Sequence, residues 1–152
     1  MKWNILELSW SRKIMYRYKV NITRVVDGDT VDVDVDLGFG MVYKKQRVRM
    51  MGIDTPESRT RDLEEKFYGK ESKYHLESIL AEGDIQLQSH GKGKFGRILG
   101  ELFVGDSSYS VNQQMIDEHH AVPYYGQSKD DTEKGHLWNR EALREQGLEY
   151  SK

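Results

Sequence analysis

From Thr30 to Leu37 the chain alternates strictly, with Val31, Val33, Val35 and Leu37 set against Asp32, Asp34 and Asp36. Successive side chains on a strand point to opposite faces, so this run must lie with its valines on a core and its aspartates in water. Tyr18, Val20 and Ile22 alternate in the same way with Lys19, Asn21 and Thr23, and Asp27-Gly28 between the two runs is a turn signal. A hairpin follows. Gly38-Phe39-Gly40 breaks the second run, and Val42 to Met51 supplies a third strand on which Arg47 and Arg49 share a face.

Leu63 to Glu82 is rich in Glu, Lys and Leu, has Tyr68, Leu76 and Ile79 at near-helical spacing and stops at Gly83, which predicts a helix. Ile85–Ser89 and Ile98–Val104 read as two more short strands joined by the loop Gly91-Lys92-Gly93-Lys94-Phe95-Gly96. Ser110 can cap a short helix running to Glu118, and a last helix is expected from about Thr132 to Gln146, closed by Gly147. The stretch around Pro123-Tyr124-Tyr125-Gly126 reads as irregular. The expected class is α+β: a five-stranded barrel of oligonucleotide-binding type with about three helices packed outside. Residues 1–15 do not share the later periodicity and are taken as an N-terminal extension of unknown role; residues 16–152 form the domain.

At 152 residues the chain suits one domain with an ordinary core. A formal net charge of −2 and a pI near 6.2 argue against a protein that coats nucleic acid by bulk basicity. The absence of cysteine excludes disulfides, zinc thiolates and thiol nucleophiles. No signal peptide and no membrane-length apolar run is read, so a cytoplasmic monomer is the default expectation.

Two acid-bearing loops fall at the ends of neighbouring strands: Val26-Asp27-Gly28-Asp29-Thr30, and Asp54-Thr55-Pro56-Glu57 after the third strand. Either alone is an ordinary turn. Together they gather hard oxygens, which suit Ca²⁺ or Mg²⁺, and a bare cluster of carboxylates needs a cation and facing arginines to balance it. Arg49 and Arg97 are the candidates, and Asp27 is more suited to satisfying its own turn than to binding metal. The alternatives are a cross-strand pair of Arg49 with Asp32, Asp34 or Asp36, and a solvated loop position for Arg97.

These segments, with Arg49 five positions before Asp54-Thr55-Pro56-Glu57 and followed by Lys94-Phe95-Gly96-Arg97, resemble the staphylococcal-type thermonuclease family from about Tyr18 to Tyr125. The resemblance implies a Ca²⁺-dependent phosphodiesterase acting on DNA and RNA and leaving 3′-phosphate ends. It places Ca²⁺ on the carboxylates of Asp29 and Asp54 and the carbonyl of Thr55, Glu57 beside the attacking water, and Arg49 and Arg97 on the phosphate. Lys94 would meet a phosphate, and Tyr125, or its neighbour Tyr124, a nucleotide. Lys44, Lys45 and Lys92 could widen a basic rim. The chain departs from the family at Phe95, where a tyrosine is common, in the longer connection between the second and third strands, and in its acidic balance.

Other patterns lead elsewhere. Gly91-x-Gly93-x-x-Gly96 matches a dinucleotide fingerprint by letter, but a strand follows it where that motif needs a helix. Asp32-x-Asp34-x-Asp36 lacks the glycine and glutamate of an EF-hand loop. His119, His120 and His136 have no ligand at helical spacing and are expected at the surface. A noncatalytic nucleic-acid or protein-binding module on the same barrel is the alternative function, and a purely structural role a third.

Overall fold

The computed structural model describes residues 16–152; the proposed extension, residues 1–15, lies outside them. Strands β1 (Tyr16–Asp27), β2 (Thr30–Gly38) and β3 (Met41–Met50) form the expected antiparallel meander. The barrel closes in the order β1-β2-β3-β6-β5, where β5 is Ile85–Lys92 and β6 is Ile98–Val104. Closure rests on a parallel pairing of β3 with β6, Arg49 opposite Leu99 and Met50 opposite Gly100. Gly100 is required there. A β-carbon on it would lie 2.4 Å from Leu87 Cδ1 and 2.9 Å from the Gln88 carbonyl oxygen, so any side chain would force β5 away.

Helix α1 (Leu63–Leu80) crosses between β3 and β5, and α2 (Val111–Asp117) and α3 (Lys129–Glu145) follow β6. Asp62 caps α1, Ser110 caps α2 and Ser128 caps α3, each accepting from a backbone amide of the first turn. The third helix therefore begins at Lys129 rather than Thr132. Its first turn carries Asp130 and Asp131, favoured at a helix N-terminus but indistinguishable in sequence from a charged loop.

Val31, Val33, Val48, Met50, Leu87 and Leu102 fill the barrel, and Leu76, Val111 and Met115 cover it from the helices. Asn112 seals one end: its Oδ1 accepts from Leu102 N (3.1 Å), and its Nδ2 donates to the carbonyls of Met51 (2.8 Å) and Gly100 (3.1 Å). The supposed Asp54 loop and the irregular Pro123 stretch contain a second, two-stranded sheet, β4 (Ile53–Asp54) with β7 (Val122–Pro123). Two-residue strands carry no periodicity, so only the tertiary pairing shows them.

Candidate active site

Asp29 leaves the β1–β2 turn buried, and its oxygens have donors: the Thr30 hydroxyl to Oδ1 (2.8 Å) and the Thr55 amide to Oδ2 (3.1 Å). This second bond joins the two acid-bearing loops. Helix α1 presses both loops together, since a β-carbon on Gly28 would meet Ser72 Cβ at 2.8 Å and Thr55 Cγ2 at 3.0 Å. Asp27 is not on the cleft wall, and it accepts a hydrogen bond from the Ser58 hydroxyl, 31 positions away, rather than from the amides of its own turn.

Arg49 does not pair with the aspartates of β2; Arg47 takes Asp32 instead, through Nε at 2.8 Å and NH2 at 3.1 Å. The guanidinium of Arg49 lies between the two site aspartates, 3.5 Å from Asp29 Oδ2 and 3.6 Å from Asp54 Oδ1, and donates to the Met50 carbonyl at 2.9 Å. Arg97 reaches the same place by a different route. The loop after β5 turns through Phe95 and Gly96, both left-handed (φ 62° and 73°), and delivers Arg97 just before the residues of β6 that pair with β3. Among the described residues its buried Nε has no hydrogen-bond partner, a donor that a phosphate oxygen would satisfy.

These groups line one cleft of about 910 Å³, with Arg49, Asp54, Thr55, Glu57, Lys94, Arg97, Tyr124 and Tyr125 all on its wall. Asp29 lies behind Arg49. Tyr125 is 80% exposed and Tyr124 45%, so both rings are open to a ligand. Lys44, Lys45 and Lys92 do not line the cleft. Lys92 is drawn to the β2–β3 hairpin, its Nζ 3.0 Å from the Tyr43 hydroxyl.

Glu57 is an exposed residue of the same wall. Loss of hydration on the wall side, followed by the fields of Asp27, Asp29, Asp54 and Glu65, pushes its carboxyl above the ordinary glutamate value. Such a site fits a cation. Among the described residues no three His, Cys, Asp or Glu side chains converge on one point. A hard divalent ion held by Asp29 and Asp54 would therefore take its remaining oxygens from the Thr55 carbonyl, water and substrate.

Two histidines correct the expectation of surface positions: His120 and His136 are buried. His120 stacks on His75 with ring centroids 4.0 Å apart, and burial pushes its pKa down to about 4. His136 is the functional residue that sequence reasoning missed, for its Nε2 is 2.8 Å from Asp54 Oδ2 and its ring lines the cleft. No local pattern couples positions 82 apart. A faint signal lies in its helical spacing to Leu143, seven residues on, which shares the face that α3 buries.

Residues 47–147 match the sequence model described as staphylococcal nuclease homologue. The chain belongs to this family. It is 32% identical over 92 residues to the thermonuclease of Staphylococcus intermedius, covering 59% of this chain and 51% of that protein. The thermonuclease of Staphylococcus hyicus is 34% identical over 103 residues, covering 66% and 55% respectively. Endonuclease YncB of Bacillus subtilis (strain 168) is 30% identical over 106 residues, covering 65% and 46%. The chain thus spans about half the length of these relatives. The family match contains Arg49, Asp54, Thr55, Glu57, Lys94, Arg97 and Tyr125 and starts after Asp29, which joins them through the β1–β2 turn. No described helix of this family member is long and apolar enough to cross a membrane.

Proposed function

We propose that this member of the staphylococcal nuclease family hydrolyses phosphodiester bonds of DNA and RNA in a calcium-dependent reaction with little sequence preference, leaving 3′-phosphate ends. The observation carrying this reading is that Arg49, Asp54, Glu57 and Arg97, from three separate chain segments, line one cleft, with Asp29 reaching it through its contact with Arg49. Asp29, Asp54 and the Thr55 carbonyl would hold Ca²⁺, which neutralises charge on the phosphate when bound.

The chain's own groups perform the rest. Glu57, with its carboxyl poised above the usual range, takes the proton of the attacking water. The guanidiniums of Arg49 and Arg97 offer planar forks to the equatorial oxygens, where negative charge builds in the transition state. Arg49 already faces carboxylates and exchanges them for phosphate when substrate enters. Lys94 adds a cation along the strand, and Tyr125 and Tyr124 give base-stacking faces without sequence readout.

Digestion of plasmid and single-stranded DNA and of RNA with Ca²⁺, with Mg²⁺ and with chelator, beside Glu57→Gln, tests the proposal. Expected are cleavage with Ca²⁺, none with chelator and a loss of roughly 10² or more in the variant. Chelator-resistant cleavage, or an unchanged variant, refutes the mechanism. Binding of single strands without cleavage would favour the noncatalytic module instead.

A further inference from the structure

We infer that His136 is a positioning residue for the cation site: it holds one oxygen of Asp54, leaves the other to the ion, and so makes cation affinity depend on helix α3. This rests on the proposed calcium reading. Asp54 is the least enclosed of the two site aspartates, with 31% of its side chain exposed against 12% for Asp29. The β4–β7 pairing fixes its backbone opposite Val122, but a partly exposed carboxylate still turns about its own side-chain bonds. His136 stops that rotation. Facing a carboxylate, Nε2 is the donating nitrogen, and its bond to Oδ2 at 2.8 Å directs Oδ1 toward Arg49 and the cleft.

The helix is held in register for this contact. Gly135 lets α3 approach β7 closely, since a β-carbon there would lie 2.9 Å from Val122 Cγ1. One turn later Asn139 Nδ2 donates to the Ala121 carbonyl at 3.0 Å. His136 sits between these two anchors, and its buried Nδ1 has no protein partner, so Asp54 is the only side chain its ring nitrogens hydrogen-bond among the described residues. With Oδ2 engaged, Asp54 offers the cation a single oxygen. Partners that orient a ligand in this way commonly set metal affinity by 10- to 100-fold, roughly, when they are removed.

Calorimetric titration of the intact chain with Ca²⁺, without nucleic acid, tests the inference. His136→Leu removes the donor and is expected to weaken Ca²⁺ binding by about 10-fold or more, whereas His136→Gln, whose amide nitrogen reaches a similar point, keeps most of the affinity. His136→Asn is polar but too short to reach Oδ2 and should behave like the leucine variant; it serves if the leucine variant fails to fold. Thermal unfolding without Ca²⁺ separates a packing defect, which moves the melting temperature alone. A wild-type chain that binds Ca²⁺ and a His136→Asn variant of equal affinity overturn this inference and leave the calcium reading intact. A wild-type chain that binds no Ca²⁺ overturns both.

Discussion

Gly69→Ala should cripple the site from a distance. Alanine replaces glycine in helix interiors with a gain of roughly 0.5–1 kcal/mol, so helix propensity alone predicts stabilisation. Gly69, however, lies mid-helix in α1 against the loop that carries the base. A β-carbon there would be 2.4 Å from the Glu57 carbonyl oxygen, 2.5 Å from its carbon and 2.7 Å from the Ser58 nitrogen. These are backbone atoms, which cannot rotate aside. Restoring ordinary contact requires a relative shift of about 1 Å between α1 and the Glu57 loop, and overpacking of this kind costs about 1–3 kcal/mol. The net expectation is a destabilisation of about 1–2 kcal/mol. A displacement near 1 Å at a group that must meet a water in line with phosphate can lower turnover by about 10². Urea denaturation gives the first quantity, and kcat on single-stranded DNA at saturating Ca²⁺ the second. A variant at least as stable as the parent and with full kcat would refute the reasoning that α1 sets the position of Glu57.

Arg97→Lys keeps the charge but loses the planar fork, and kcat should fall by about 10² with the fold unchanged; near-normal turnover counts against a bidentate role. Glu57→Gln should stabilise the cation-free protein at neutral pH. With its pKa raised, Glu57 contributes stability that is complete below the ordinary glutamate value and lost as pH rises through the folded value, so the gain should vanish in denaturation curves near pH 4. His120 works in the opposite sense. Its pKa of about 4 against an ordinary 6.5 means stability that is complete above about pH 6.5 and lost as pH falls toward 4, amounting to about 3 kcal/mol at most. Denaturation from pH 7 to 4 should show this slope flattened in His120→Leu, and an identical slope would remove the assignment.

Much of the barrel can be read locally. The valine–aspartate alternation of β2 determines its inward face, and Asp27-Gly28 determines the hairpin, because strand periodicity and turn chemistry are properties of adjacent residues. The acid-bearing loops are likewise local turn chemistry, and Arg49 and Arg97 stand out through the order and spacing in which the chain resembles the family. Their meeting is not local. Arg49 and Arg97 share a cleft because β3 and β6 pair in parallel, a closure that element order alone does not dictate. The β4–β7 sheet is too short to have a period, and the start of α3 depends on a cap rather than on apolar spacing. His136 shows the limit most clearly. Its partner lies 82 positions away, and the packing of α3 at Gly135 and Asn139 against the chain around β7 turns an unremarkable helical histidine toward Asp54. The sequence by itself determines which groups can do chemistry; the tertiary structure decides which oxygens face the cleft, because that orientation is set by contacts between segments distant along the chain.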